Sequence, residues 1–215
     1  MRVDIHVHTG RYSGCAVGSP QEMAQAALAK GLEGIVLAEH DMAWPQGELA
    51  NLAKEFPGLR FFRGAEMTVA QGEHLLVLGV STFAPLVPLL PYRQLIELVR
   101  DLGGIAILAH PLRRDPDPEL LKLVDGVEVA SHSIPQALRA KVTALASQYQ
   151  LPAMAASDAH WPQALGQFAM DILSPVETEQ ELAAALAHGC FRNYIDPTFT
   201  SMKDEFYRDW KIIQT

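Results

Sequence analysis

The chain has 215 residues, of which 49% are hydrophobic, 20% charged and 7% aromatic, the composition of one ordinary globular domain rather than of a disordered, collagenous or disulfide-stapled chain. Its 17 Lys and Arg against 25 Asp and Glu leave a formal charge of -8, which argues against electrostatic capture of a nucleic-acid backbone. With only Cys15 and Cys190 present, no disulfide framework is expected and a reducing compartment is.

In chain order, residues 2–8 predict a first strand. Asp4, His6 and His8 stand where a secretory leader would carry its apolar core, so a cytoplasmic location is expected. Ser19 and Pro20, followed by Gln21 and Glu22, predict a capped helix that runs to Lys30 and is ended by Gly31. Strands are predicted at 33–39, 59–66, 74–80, 104–109, 126–130 and 152–157, and helices at 46–55, 91–102, 117–123, 135–149 and 178–188. Residues 75–92 carry no charge, but Pro85, Pro88 and Pro91 bar a membrane-spanning helix there. Roughly seven strand-and-helix alternations make this an α/β chain and fit a closed parallel barrel better than a doubly wound sheet. A single domain over 1–192 is expected, with 193–215 as a C-terminal arm packing on the barrel.

Nearly every predicted strand finishes in an imidazole or a carboxylate: His6 and His8, Glu39 and His40, Glu66, His110, Glu128, Asp158 and His160. The carboxyl ends of strands are where parallel α/β proteins build their active sites. Residues i and i+2 of a strand share a face, so His6 with His8, and Asp158 with His160, can each chelate one ion. Chance supplies roughly 0.3 HxH pairs at this histidine content, so one pair decides nothing. Recurrence on separate elements does, because such groups are costly to bury unless they bind metal or each other. From the residues alone, the chemistry is metal-assisted hydrolysis.

The segments "DIHVHT" at 4–9, "AEHD" at 38–41, "GAEMT" at 64–68, "HLLVLG" at 74–79, "GGIAILAHP" at 103–111 and "ASDAH" at 156–160 occur in an order that resembles the PHP family, named for its polymerase and histidinol phosphatase members. The resemblance implies a distorted (β/α)7 barrel of the PHP type holding two or three divalent ions, zinc, manganese or iron. Carried over position by position, the implied ligands are His6, His8, His40, Glu66, His74, His110, Asp158 and His160, all but His74 also counted as catalytic. The family usually adds an Asp or His shortly after the HxH motif. Here that segment reads "TGRYSGCA", where Cys15 is either a thiolate ligand or a loop thiol. The implied activity is that of a metal-dependent phosphoric ester hydrolase, acting on a phosphomonoester or phosphodiester of a small molecule or nucleotide through metal-activated water.

Arg11, Arg113 and Arg114 follow strand ends where they either meet a phosphate or carry a solvated loop charge, and His132 either contacts substrate or caps a helix. Glu39 and Glu128 are expected as hydrogen-bonded supports, and Asp4 and Asp41 as imidazole partners or turn formers. His188 is expected at a helix C-terminus. Two other readings stay open. An amidohydrolase-like enzyme also opens on HxH, although it usually carries a bridging Lys and this chain has none between Lys54 and Lys122. A metal-binding regulatory module without catalysis is the other. The expected partner is a small phosphorylated substrate, with neither membrane nor stable nucleic-acid complex. Substrate identity and oligomeric state are not encoded in these motifs.

Overall fold

The computed structural model describes residues 1–113 and 115–198. Its strands and helices run in the order β1 (Arg2–Val7), α1 (Pro20–Ala29), β2 (Gly34–His40), α2 (Gln46–Glu55), β3 (Arg60–Thr68), β4 (His74–Leu78), α3 (Tyr92–Asp101), β5 (Ile105–Leu108), α4 (Pro118–Leu121), β6 (Gly126–Ala130), α5 (Gln136–Gln148), β7 (Ala153–Ala155), β8 (Phe168–Ile172), α6 (Glu179–Ala187) and β9 (Phe191–Ile195). The α1 start follows its sequence signal: Ser19 accepts from the Glu22 amide while the Glu22 side chain returns to the Ser19 amide, a reciprocal cap worth about 1 kcal/mol. Thr178 and Glu181 build the same cap on α6.

One mixed sheet contains all nine strands in the order β7-β6-β5-β4-β3-β2-β1-β8-β9. This departs from the expected all-parallel alternation at two places. β4 runs antiparallel to both β3 and β5, because residues 69–73 are too few for a crossover helix and can only turn back as a hairpin. β8 and β9, which the sequence reading left without elements, continue the sheet antiparallel beyond β1. The expected boundary at 192/193 falls inside β9, and residues 199–215 of the proposed arm lie outside the described residues.

The sheet curls until its ends meet. At the upper end, Ala159 bridges Val7 of β1, with His8 N–H donating to the Ala159 carbonyl at 2.9 Å and Ala159 N–H to that of His6 at 3.1 Å. At the lower end, Asn193 of β9 replaces the missing ladder with its side-chain amide, which bonds the Ala155 N–H and the Ala153 carbonyl of β7. The interior is filled by Val3, Ile5, Val36, Phe62, Leu76, Ile107 and Met154, and Leu182, Ala183 and Leu186 of α6 pack against the same cluster. The outer faces of β3 to β6 pack on α3, α4 and α5 through Met67, Val77, Leu95, Val99, Leu121, Val127 and Val142. Among the described residues, no helix is long and apolar enough to cross a membrane.

Candidate metal centre

Val3 and Ile5 face the interior, so strict alternation would turn His6 and His8 away from it. A register irregularity between Asp4 and Val7 reverses the faces. Val7 then packs outward on Met23 and Ala24 of α1, while His6 and His8 reach Glu66. Glu66 shares its strand face with the interior residue Phe62, two alternations earlier on β3.

Glu66 is the hub. Its Oε1 lies 2.9 Å from His74 Nδ1 and 2.7 Å from His110 Nε2. Its Oε2 lies 2.8 Å from His40 Nδ1, 3.5 Å from His6 Nε2 and 3.4 Å from His8 Nε2. Asp158 Oδ1 faces the same point, 3.3 Å from His6 Nε2, 3.2 Å from His8 Nε2 and 3.5 Å from His160 Nδ1. The structure thus brings all eight motif-derived positions together. Three sets have ligand atoms within 4.8 Å of one another: His6, His8 and Asp158; His8, His40 and His160; and His40, Glu66 and His74.

His6 Nε2, His8 Nε2, Glu66 Oε2 and Asp158 Oδ1 are buried without a well-aligned hydrogen bond, His40 Nδ1 standing 2.8 Å from Glu66 Oε2 but out of line for one. Four converging lone-pair atoms in that condition are expensive unless a cation joins them, so the donor set fits divalent metal. Electrostatics agrees. Burial pushes the His8 imidazole down to about 3, leaving it neutral and able to ligate. Burial opposes protonation of His6 too, but Asp158, Glu66 and Glu128 around it outweigh that and raise it well above the ordinary value. Burial likewise opposes ionisation of Glu66 and Asp158, yet the surrounding imidazoles hold both well below the usual carboxylate range. The carboxylates draw positive charge to this point, and a divalent cation competes there with imidazole protons.

A layer of buried groups orients the ligands. Glu128 Oε1 meets His6 Nδ1 at 3.0 Å, and its Oε2 accepts from the His110 N–H at 2.7 Å. Glu39 accepts from Thr9 N–H and Oγ1, from Trp44 Nε1 at 2.8 Å and from Ser13 Oγ at 2.5 Å. Ser13 Oγ in turn lies 3.2 Å from His8 Nδ1, which places the proton on Nδ1 and leaves Nε2 free for metal. Sequence reasoning found Glu39 and Glu128 as supports but missed Ser13, because a serine in a short polar loop carries no signal until the loop folds. Asp41 ties the ends of β2 and β3 by accepting from Thr68 N–H at 2.7 Å and Thr68 Oγ1 at 3.1 Å. Asp4 accepts from Ser157 N–H at 3.0 Å and from His6 N–H at 3.3 Å, so it serves the backbone of the site. Asp41, His110 and Asp158 all hold positive φ, at 57°, 27° and 53°, a cluster of strained backbone at one place.

Cys15 reaches the edge of the cluster. Burial raises its thiol pKa, but hydrogen bonds and charge from His160 and His40 outweigh this and bring it to about 6. Arg113 donates to Ser133 Oγ at 2.9 Å and sits 3.9 Å from Asp158 Oδ2. Arg11 points outward, exposed, and pairs with Glu48 at 3.2 Å. Arg114 lies outside the described residues. His188 caps α6, its Nδ1 meeting the Ala184 carbonyl at 2.7 Å.

His132, expected either to contact substrate or to cap a helix, is packed into the protein. Its Nε2 lies 3.3 Å from the Ala164 carbonyl and its ring packs on Trp161 and Phe168, so burial lowers its pKa. A packed, neutral imidazole contributes stability above its unfolded pKa of about 6.5 that is lost as the pH falls through the depressed folded value. His132→Phe should therefore leave turnover within about threefold of wild type and flatten the loss of stability below about pH 6.5. A large drop in turnover would return His132 to the substrate site.

The family described as PHP-associated matches residues 138–190. An uncharacterized protein of Methanocaldococcus jannaschii is 29% identical over 121 residues, 52% of this chain and 68% of that one. A Bacteroides vulgatus structure, described as a two-domain protein containing a predicted PHP-like metal-dependent phosphoesterase, superposes with a TM-score of 0.71 at 20% identity over 91% of this chain; the chain spans 64% of its length. A Chromobacterium violaceum structure, described as an amidohydrolase with bound sulfate and no metal, gives a TM-score of 0.64 at 18% identity over 86% of this chain and 97% of that one. The chain thus combines a PHP-associated match over residues 138–190, a fold shared over most of its length with a structure described as PHP-like, and six ordered motifs that meet at one point.

Proposed function

We propose that the chain is a metal-dependent phosphoesterase that hydrolyses a phosphomonoester or phosphodiester of a small molecule or nucleotide. The observation that carries this reading is the convergence of His6 Nε2, His8 Nε2, Glu66 Oε2 and Asp158 Oδ1, four buried ligand atoms that no well-aligned hydrogen bond satisfies. His6, His8, His40, Glu66, His74, His110, Asp158 and His160 would hold two or three zinc, manganese or iron ions, with Cys15 offering a thiolate beside His40 and His160. Ions so bound supply Lewis acidity toward phosphoryl oxygens and make water a nucleophile near neutral pH. The protein groups do the positioning. Glu66 presents one oxygen to each side of the cluster, Glu128 holds His6, and the Glu39–Ser13 pair holds His8. Arg113, beside Asp158, offers charge-assisted donors to a phosphate.

The test is an assay of the purified protein with manganese, zinc and iron in turn, on p-nitrophenyl phosphate, its bis ester, an anilide and a lactone. Phosphoester turnover that a chelator abolishes is expected. An amidohydrolase reading is favoured by the description of the Chromobacterium neighbour, and anilide or lactone turnover with inert phosphoesters would establish it instead. Full metal occupancy without hydrolysis would make the chain a binding module. Turnover should also fall below about pH 6, where imidazole ligands protonate and release metal. A flat profile through about pH 5 would contradict histidine ligation.

A further inference from the structure

A cleft adjoins the cluster, running from Gly72, Glu73 and His74 at the start of β4 to His110, Leu112 and Arg113 beyond β5. Its volume is about 190 Å³, below the roughly 300–1,000 Å³ of sites that enclose a whole drug-sized ligand, so it takes one end of a substrate. Its walls combine apolar surface from Leu108, Ala109 and the loop prolines with imidazoles that also belong to the cluster. Glu73 forms part of the cleft wall, and its Oε2 is buried without a hydrogen-bond partner. Among the described residues, Glu73 belongs to none of the three ligand sets and no group donates to that oxygen. A buried carboxylate oxygen left unmade costs free energy that a donor entering the cleft recovers.

We infer that this cleft is the subsite for the alcohol portion of the substrate, and that Glu73 selects an alcohol bearing a hydrogen-bond donor, a hydroxyl or an ammonium group. The inference rests on the phosphoesterase reading, which places the phosphate at the cluster, beside Arg113. The cleft then begins at His74 and His110, where the esterified oxygen leaves the metal centre. Its apolar floor receives the carbon skeleton, and Glu73 accepts from the donor that the skeleton carries. A charge-assisted hydrogen bond is strong enough to discriminate about tenfold.

The experiment measures binding of ethylphosphonate, 2-hydroxyethylphosphonate and 2-aminoethylphosphonate to the metal-loaded protein by calorimetry, with metal content recorded for each preparation. Wild type should bind at least one donor-bearing phosphonate about tenfold more tightly than ethylphosphonate. Glu73→Ala should abolish that ratio. Glu73→Gln, which keeps an oxygen acceptor and loses the charge, should retain a hydroxyl preference and lose an ammonium one, identifying the donor. Equal affinities in wild type, or a ratio that survives Glu73→Ala at unchanged metal content, would overturn the subsite. Hydrolysis of p-nitrophenyl phosphate without any such preference would overturn the subsite alone. No hydrolysis and no phosphonate binding would overturn the phosphoesterase reading and the subsite with it.

Discussion

Glu66→Ala is expected to strip bound divalent metal and to lower phosphoester turnover by at least about a thousandfold. Among the described residues no other side chain touches so much of the cluster: its two oxygens face His6, His8, His40, His74 and His110. Removing the carboxylate leaves five imidazoles crowded without the charge that holds a cation among them, so ion-to-ligand attraction and ligand geometry fail together. The barrel should survive, because the interior below Glu66 is apolar and Gly64 and Phe62 are untouched. The measurement is metal content by mass spectrometry alongside turnover, with circular dichroism to monitor the fold. Wild-type metal content in the variant would refute Glu66 as the organising ligand. Glu66→Gln, of the same shape, should show nearly the same loss, which separates charge from volume.

Asp158 allows a sharper separation. It combines a negative charge facing His6 and His8 with a left-handed backbone at φ 53°, a conformation that Asn and Asp tolerate and other non-glycine residues occupy at a cost of about 1–2 kcal/mol. Asp158→Asn should therefore lose turnover by about a thousandfold while thermal stability of the chelator-treated protein stays close to wild type. Asp158→Ala should lose the same turnover and in addition unfold earlier, since it also removes the acceptor for Ser133. His110→Ala, at φ 27° and bonded to Glu66, should follow Asp158→Ala. Unchanged turnover in both Asp158→Asn and His110→Ala would refute the site. A selective effect on stability alone would make Asp158 a structural residue.

That the residues of the candidate site meet is legible in the sequence for a physical reason. His6 and His8, and Asp158 and His160, are coupled by strand periodicity, which is local and visible as spacing. Glu66 and His110 stand at strand ends, where a parallel sheet collects its functional groups. The arginines and His132 were harder, because loops set their direction: Arg11 turns out to Glu48, and His132 turns into a wall of Trp161 and Phe168. Ser13 and Glu73 had no local signal at all. One matters through Glu39 on another strand, and the other through a cleft that exists only where β4 and β5 lie side by side.

The sequence by itself determined an acidic α/β domain poor in cysteine, the position of its first seven strands within a residue or two at most ends, and the identity of the histidines and carboxylates that end them. These follow from periodicity, capping and composition, all of which act over a few residues. The tertiary structure decided what depends on distant partners. Residues 69–73 make β4 reverse, β8 and β9 extend the sheet past β1, and Asn193 seals its seam. The irregularity in β1 turns His6 and His8 inward, and the Ser157 amide, 153 residues along the chain, fixes Asp4 beneath them. The -8 charge changes meaning in the same way. Read along the chain it argues against anions, whereas in the fold Glu66 and Asp158 gather at one point, where they attract the cations that an anionic substrate needs.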